Sequence, residues 1–315
     1  MRIFRHYTDL PVDARGCVVA IGNFDGIHKG HQVVINEAGS IARTTAKPWA
    51  VMSFEPHPNA LFKPDGEPFR LSTMRTKAHR IEQLGVDELL IQHFDFAFAG
   101  LTAEQFVEEV IVKGLGASHV VAGYDFQFGQ KRQGTCETLL HMGRGKGFGF
   151  TAVPKVMDED DIVYSSTRVR ECLKAGDPRG AAHVLGYPVE LEGRIEKGDQ
   201  RGRQLGFPTA NLHLGEFLRP ALGVYAIRAG IDEGKNTRWI DGVCNVGKRP
   251  TFDKGEDVIL EAHLFDFEAD LYGKHLRIQL IEHLRAEQKF DGLDAIKAQI
   301  AIDCEKAREI LAKEG

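Results

Sequence analysis

The stretch that decides the fold runs from Gly22 to His31 and reads Gly-Asn-Phe-Asp-Gly-Ile-His-Lys-Gly-His. It follows the apolar run 17–21 and precedes an amphipathic run over 31–45, an order that predicts a strand, a glycine-rich turn and a helix. Backbone amides and the positive end of a helix favour bound anions, and glycines let a phosphate chain approach the backbone. His28 and His31 are three residues apart, which places both imidazoles on one face of the first helical turn. We interpret the stretch as a site that stabilises charge on phosphorus, and the alternative is a pair of polar surface histidines.

The other glycine patterns do not match known nucleotide-binding loops. Gly193 and Gly198 have P-loop spacing, but Asp199 and Gln200 follow where Lys and Ser/Thr are required, so this is no Walker A motif. The run 143–149 lacks a dinucleotide fingerprint and predicts instead the end of a helix and the start of a strand.

Composition narrows the class of protein. The chain has 315 residues, a length that is enough for two ordinary domains. Of these residues, 43% are hydrophobic and 27% are charged. The net charge of -5 argues against a nucleic-acid binder, so anionic ligands need local Lys, Arg and backbone amides. The five cysteines are scattered without a C-x-x-C pair, which indicates neither a zinc site nor a disulfide framework. No signal core or run of membrane-spanning length is present, so we expect a cytoplasmic protein without membrane contact.

Strand and helix signals alternate through the first half. Strands are predicted at 17–21, 50–54, 88–94, 118–122 and 148–153. Helices are predicted near 31–45, 73–85, 103–113, 134–143 and 166–175. This alternation predicts a parallel sheet with helices on both faces and ligands at the carboxyl ends of its strands.

The second half changes character after about residue 183. Short β-rich runs separated by Gly, Pro and Asp occur at 189–195, 223–229, 239–246, 258–265 and 275–281. They predict a small antiparallel barrel or sandwich. A final helix from about Asp291 carries an apolar stripe expected to pack on the barrel, formed by Leu293, Ile296, Ile300, Cys304 and Ile310. The Gly/Pro junction at 183–188 divides the chain into predicted domains 1–184 and 185–315.

Three more segments of the first half carry candidate chemistry. The segment 54–58 ends a strand with two prolines and, with Phe62, can form a flat apolar wall, although taken alone a rigid loop with a hydrophobic plug is favoured. The segment 123–129 follows the fourth strand. The segment 165–170 opens a helix with hydroxyls and Arg170, which suits phosphate, whereas a simple N-cap is the alternative.

Two features of the second half suit phosphoryl chemistry. Thr209 and Asn211 are two apart and therefore point to the same side of an extended segment, where their oxygens suit Mg²⁺. Glu261 is a carboxylate inside an apolar strand, which favours a general base, although a solvent-facing Glu on such a strand would look alike.

Taken together, these segments resemble the prokaryotic bifunctional riboflavin kinase/FMN adenylyltransferase family, also called FAD synthetase. The resemblance spans essentially the whole chain and rests on ordered segments at 22–31, 54–58, 123–134, 165–170, 202–212, 223–225, 245–252, 261–267, 270–273 and 284–290. One departure is Tyr164, where the family commonly has Ile. The implied fold is α/β plus β: a Rossmann-like nucleotidyltransferase domain of the HxGH type, then a small antiparallel β-barrel kinase domain with a C-terminal helix.

The resemblance implies two reactions on small molecules. Riboflavin is phosphorylated by ATP to FMN, and FMN is then adenylylated by a second ATP to FAD with release of pyrophosphate. The alternatives are that only one activity is retained, or that the first domain adenylylates another phosphate ester. Mg²⁺ is the implied cofactor, nucleic acid and membrane are not implied partners, and a homo-oligomer is compatible with the sequence.

The resemblance also assigns residues to roles. The implied catalytic residues are His28, His31, Arg170 and Glu261, with Glu261 as the base and the histidines acting on charge at the α-phosphate. Nucleotide contacts are implied for Gly22, Asn23, Phe24, Asp25, His28, His31, Asp125, Ser166, Thr167, Arg170, Gly198, Arg203, Thr209 and Asn211. The implied flavin wall consists of Phe54, Pro56, Pro58, Phe62 and Phe128. Thr209 and Asn211 are the implied magnesium ligands.

Overall fold

The first half of the chain builds a parallel sheet of six strands: β1 (Arg2–Phe4), β2 (Val18–Ile21), β3 (Trp49–Glu55), β4 (Glu88–His93), β5 (His119–Gly123) and β6 (Gly149–Val153). This computed structural model describes residues 1–196, 206–233, 236–251 and 255–314. The strand order is β1-β4-β3-β2-β5-β6, and every neighbouring pair is parallel. The connections diverge between β2 and β5, so the ligand crevice expected of an open α/β sheet lies at their carboxyl ends.

Helices cover both faces of this sheet. They are α1 (Lys29–Thr45), α2 (Pro58–Phe62), α3 (Met74–Gln83), α4 (Phe96–Ala99), α5 (Ala103–Gln105) with its π-helical continuation Phe106–Leu115, and α6 (Cys136–Lys146). Val18 and Ala20 of β2 belong to the core beneath α1 and α3. Val19 and Ile21 belong to the opposite core, beneath the π-helix and α6. The predicted doubly covered parallel sheet is therefore confirmed.

Gly39 of α1 is fixed by close packing against Trp49. A Cβ added at Gly39 would lie 2.7 Å from atoms of the indole, whose Nε1 donates to the Ile35 carbonyl at 3.1 Å. We expect Gly39→Ala to lower the free energy of unfolding by about 1–3 kcal/mol in urea titrations, since the ring must shift in a packed core. Gly145→Ala is the control, because its added Cβ meets nothing within 4 Å. A loss at Gly39 no larger than that at Gly145 would contradict the packing argument.

The second half forms a closed antiparallel barrel preceded by two helices, α7 (Ser166–Lys174) and α8 (Pro178–Leu185). The barrel strands are β7 (Val189–Glu196), β8 (Ala210–His213), β9 (Gly223–Glu233), β10 (Asn236–Thr251), β11 (Gly255–Leu264) and β12 (His275–Arg285). They close in the order β10-β11-β8-β7-β12-β9. The structure therefore selects the barrel over the sandwich.

The final helix, α9 (Leu293–Lys313), packs on the barrel through its C-terminal half. Ala307 and Leu311 are buried in a shared core with Val224 and Ala226 of β9, and Cys304 and Ile310 pack against that core. The predicted stripe extends too far toward the N-terminus, because Leu293 is 68% exposed. The apolar residue at the start of α9 therefore does not belong to the core that the C-terminal half of the helix shares with the barrel.

Packing divides the chain into two compact units. The first comprises 1–66 and 74–165, and the second comprises 67–73 and 166–315. Helices α7 and α8 therefore pack with the barrel, although α7 precedes the predicted boundary at 184 and α8 crosses it. That boundary, as a division between two functions, stays a prediction.

Candidate active site

The turn between β2 and α1 places two imidazoles at the start of a 17-residue helix. The rings of His28 and His31 stack with centroids 3.6 Å apart and an interplanar angle of 25°. His28 caps the helix, since its Nδ1 accepts from the backbone N–H of His31 at 3.3 Å. His28 is buried and His31 is half-buried. The predicted pairing of the two histidines on one face is thus present, at the positive end of α1.

The same turn has an unusual backbone. Phe24 and Ile27 adopt φ of 47° and 41°, a region that favours glycine, and each is only 2% exposed. The Phe24 ring meets the His31 ring edge-on at 5.3 Å. A Cβ at Gly30 would lie 3.1 Å from the His28 ring and 3.3 Å from the Tyr164 carbonyl, so a larger residue would press on both neighbours. Close packing thus holds the turn.

The Tyr164 departure lies beside this turn. The ammonium of Lys29, the first residue of α1, lies 5.3 Å from the centroid of the Tyr164 ring. A cation over an aromatic face is a favourable contact that an aliphatic side chain would lack.

The predicted apolar wall is part of a larger aromatic cluster. Phe54 and Phe128 are 7% and 6% exposed, whereas Phe62 is 59% exposed. Phe54 and Phe128 therefore lie in the core beneath the predicted wall, and the ring of Phe62 is exposed to solvent. Pro56 and Pro58 are half-buried beside it. Pro58 begins α2, which His57 caps by accepting from the N–H of Asn59 at 3.1 Å.

Sequence reasoning missed the phenylalanines that join this wall into one surface. Phe94 lies 5.8 Å from Phe54 and 6.2 Å from Phe62, measured between ring centroids. The contacts continue from Phe54 through Phe98 and Phe106 to Phe128. Phe96 is 69% exposed and contacts Phe62 at 6.2 Å. The run Phe94-Asp95-Phe96-Ala97-Phe98 is the sequence signal that could have indicated this extended aromatic surface.

Asp125 follows β5 at the same edge of the sheet as the histidine turn. It is exposed, in a segment where the Cys136 Sγ lies 3.4 Å from the carbonyls of Gly123 and Tyr124. Burial raises the pKa of the Cys136 thiol. It also raises the pKa of Cys17 to about 12 and that of Cys304 to about 11. These thiols are protonated at neutral pH and are not candidates for a nucleophile.

Helix α7 begins at Ser166, as predicted, and places Ser166, Thr167 and Arg170 in its first turns. The Nε of Arg170 donates to the Phe69 carbonyl at 2.9 Å. The neighbouring Arg70, only 1% exposed, lies 3.2 Å from Glu216 and anchors this segment in the second unit. Arg170 is therefore oriented by a fixed backbone carbonyl. A shared site with the paired imidazoles stays a prediction.

The barrel brings Glu261 and Asn211 together. Glu261 of β11 is directly opposite Asn211 of β8 and, on its other side, opposite Asn245 of β10. Asn211 is 6% exposed, and Glu261 is half-buried between the buried Leu260 and Ala262. Directly opposed residues point to the same face of an antiparallel sheet. One barrel face thus carries the predicted base and a predicted magnesium ligand.

The segment before β8 is held by a residue that sequence reasoning missed. The Nδ1 of His263 lies 2.9 Å from the Pro208 carbonyl, and its ring meets the Phe207 ring edge-on at 5.4 Å. These contacts flank Thr209, which is half-buried and directly precedes the strand. The predicted nucleotide contacts Gly198 and Arg203 lie outside the described residues.

Asn245 has a further neighbour. A Cβ added at Gly247 would lie 2.6 Å from Oε1 of Glu287 and 2.7 Å from Nδ2 of Asn245. Glycine at 247 therefore leaves room for these two polar side chains beside Glu261. The segment 284–290, which carries part of the resemblance, thus reaches the barrel face that holds Glu261.

The side chains of Asp, Glu, His and Cys are the usual metal ligands of proteins. Among the residues that the structure describes, no three such side chains are grouped so that they could hold a metal ion. The predicted ligands Thr209 and Asn211 are of other types. In the same described ranges, no helix combines the length and the apolar character that crossing a membrane requires.

Comparison with known proteins identifies both halves. A family model described as FAD synthetase matches residues 10–168, and one described as riboflavin kinase matches residues 185–311. The bifunctional riboflavin kinase/FMN adenylyltransferase of Escherichia coli (strain K12) is 40% identical over 294 residues, 93% of this chain and 92% of the relative. That of Pseudomonas fluorescens is 39% identical over 312 residues, 99% and 98% of the two chains. The chain belongs to the bifunctional riboflavin kinase/FMN adenylyltransferase family. The predicted family, the fold class and the pairing of kinase with nucleotidyltransferase are confirmed.

A solved structure supports the fold of this family member. The crystal structure of a protein described as a macrolide-efflux protein from Streptococcus pneumoniae has a TM-score of 0.84 to this chain at 33% identity. The match covers 97% of this chain and 98% of that one. The two proteins therefore share their fold, and the description of that protein is not carried over.

Proposed function

We propose that this chain phosphorylates riboflavin to FMN in its barrel and adenylylates FMN to FAD at the paired imidazoles of its first unit. The observation that carries the proposal is the presence of two separate constellations. One is the Glu261–Asn211 pair across β11 and β8, and the other is the His28–His31 stack at the start of α1. The histidines lie in the half that matches the family model described as FAD synthetase. Glu261 and Asn211 lie in the half that matches the model described as riboflavin kinase.

In the kinase step, the 5′-hydroxyl of riboflavin attacks the γ-phosphorus of ATP. The bond from the γ-phosphorus to the bridging oxygen breaks, ADP leaves, and Glu261 accepts the hydroxyl proton. Glu261 is suited to this role because it lies on a strand of a closed barrel between buried neighbours, which fixes its direction. Placement of a base within hydrogen-bond reach is the first requirement of such catalysis.

Magnesium fits the same barrel face. The hydroxyl of Thr209 and the amide oxygen of Asn211 are hard oxygen donors, and Asn211 is 6% exposed. These two residues would hold Mg²⁺, together with phosphate oxygens of ATP. A magnesium ion bound there neutralises charge on the transferring phosphates.

In the adenylylation step, the phosphate of FMN attacks the α-phosphorus of ATP and pyrophosphate leaves. The nucleophile is already an anion at neutral pH, so no strong base is needed. His28 and His31 act by donating hydrogen bonds to charge that develops at the α-phosphate, assisted by the positive end of α1. Asn23 and Asp125 contact the nucleotide, and the support of the phosphates by Ser166, Thr167 and Arg170 stays a prediction.

The isoalloxazine ring of FMN binds on the wall that ends in Phe62. We expect Phe62→Ala to raise the KM for FMN about 2- to 12-fold in FAD formation with little change in kcat, since a stacking contact is worth about 0.5–1.5 kcal/mol. Steady-state assays with varied FMN measure this. Leu140→Ala, which truncates another exposed apolar side chain of the first unit, should leave KM unchanged. An unchanged KM in Phe62→Ala would remove Phe62 from the flavin site.

The decisive experiment is incubation of purified protein with riboflavin, ATP and Mg²⁺, followed by chromatography of the flavins. The expected result is FMN followed by FAD. FMN without FAD would leave only the kinase, and FAD formed only from supplied FMN would leave only the nucleotidyltransferase. Use of a nicotinamide or pantetheine phosphate ester in preference to FMN would favour a different substrate for the first unit.

The cellular setting belongs to the same proposal. All five cysteines are free thiols, which is the usual state in a reducing cytoplasm. We place both reactions there. The substrates are the small molecules ATP, riboflavin and FMN, and the homo-oligomer stays a prediction.

A further inference from the structure

Lys77 is a buried cation that neither proposed reaction uses. It lies on α3 and is 2% exposed. Lysine is almost never fully buried unless its ammonium is compensated, because removing a charge from water is costly. A role for the ammonium is therefore expected from its contacts.

Two contacts of Lys77 converge on one backbone carbonyl. The Nζ of Lys77 donates to the Asn23 carbonyl at 2.8 Å and to the Ser53 Oγ at 3.0 Å. Ser53, itself 1% exposed, donates from the same Oγ to the same Asn23 carbonyl at 3.0 Å. A charge-assisted and a neutral hydrogen bond thus hold this carbonyl from within the unit.

The carbonyl belongs to the turn that carries the imidazoles. Asn23 is followed by Phe24, whose φ of 47° is strained for a side chain of that size. Such a conformation persists only where the surroundings over-determine it. The Phe24 ring in turn contacts His31 edge-on at 5.3 Å. A continuous set of contacts therefore links the Lys77 ammonium to His31.

We propose that Lys77 is a positioning residue for adenylyl transfer. By holding the Asn23 carbonyl, its ammonium fixes Phe24, and Phe24 fixes the His31 ring against the reacting phosphate. The inference rests on the proposed function of the first unit and deepens it. It makes Lys77 a determinant of the rate of that step and leaves flavin binding to other residues.

The test is Lys77→Met, which keeps the length of the side chain and removes its charge and donors. We expect the single-turnover rate constant of FAD formation to fall about 10- to 100-fold, the loss that follows when a catalytic group is displaced by about an ångström. The KM for FMN should stay within about twofold, because the substitution leaves the flavin wall intact. Riboflavin phosphorylation by the same preparation should also stay within about twofold.

Two controls separate positioning from a loss of folded protein. Single-turnover assays with enzyme in saturating excess report the rate in folded molecules, whatever their fraction. Ile81 lies on α3, as Lys77 does, and belongs to the core. Ile81→Val weakens the packing of this helix but leaves the contacts with the Asn23 carbonyl in place, and it should leave the rate constant unchanged. Ser53→Ala removes the neutral donor to the Asn23 carbonyl and one acceptor of the Lys77 ammonium, but keeps the charge, and should lower the rate about 3- to 10-fold. It decides the matter if Lys77→Met does not fold.

The outcomes are distinguishable. Wild-type protein that forms no FAD would contradict the proposed function. Wild-type protein that forms FAD, with Lys77→Met or, failing its folding, Ser53→Ala within twofold of its rate constant, would overturn the role of Lys77 alone. A rise in the KM for FMN without a fall in the rate constant would also overturn it.

Discussion

Replacing Glu261 with glutamine is expected to lower the rate of FMN formation by about 10²- to 10⁴-fold, the usual contribution of a positioned general base. Glutamine keeps the shape of the side chain but cannot accept the hydroxyl proton of riboflavin. The closed barrel holds residue 261 opposite Asn211, so the substitution should change the chemistry and not the geometry. The KM values for riboflavin and ATP should change little.

The measurement is the conversion of riboflavin to FMN, followed by chromatography, alongside FAD formation from supplied FMN. FAD formation should be unchanged, since Glu261 belongs to the second unit. Glu305→Gln, an exposed carboxylate on α9, is the matched control and should leave both activities intact. Kinase activity retained in Glu261→Gln would show that the proton leaves by another route.

Replacing His31 with alanine is expected to lower the rate of FAD formation by about 10²- to 10³-fold, the loss seen when one preorganised donor to developing charge is removed. Riboflavin phosphorylation should be spared. The His28 and His31 rings stack at 3.6 Å, so the two residues act as a unit. We therefore expect the double variant His28→Ala/His31→Ala to be little slower than the more impaired of the two single variants.

The assay is FAD formation from FMN and ATP, with pyrophosphate release as a second readout. His141→Ala, an exposed histidine on α6, is the control for loss of an imidazole in the first unit. If His31→Ala abolished FMN formation as well, the two sites would not be independent. If the loss in the double variant equalled the product of the losses in the two single variants, a joint action of the rings would be contradicted.

The parts of the fold that local pattern determines were predictable. The five strands expected in the first half all occur, and α1 begins next to the predicted glycine turn. Thr102 and Gln105 form a capping box at the start of α5, a spacing typical of helix N-termini. The strands that the sequence pattern does not predict are short: β1 has three residues and β8 four, too few to show a period.

Features that depend on tertiary contact were not predictable. The pairing of Asn211 with Glu261 is a matter of barrel register, since the two residues are far apart along the chain. The linking phenylalanines of the aromatic cluster lie after β4, whereas Phe54 lies on β3 and Phe62 on α2. Lys77 looks like an ordinary surface residue in a polar helix, and only its burial reveals its contacts. Sequence supplied the chemistry-bearing residues, and packing decided which of them meet.

The row formed by Asn245, Glu261, Asn211 and Glu196 crosses four neighbouring strands of the barrel. Because side chains alternate between faces, a one-residue slip of any of these strands would send its member to the opposite side. Turnover of riboflavin is thus a sensitive reporter of correct strand alignment. Refolded or engineered barrels that look native by circular dichroism can therefore be screened for misaligned strands by measuring the consumption of ATP that depends on riboflavin.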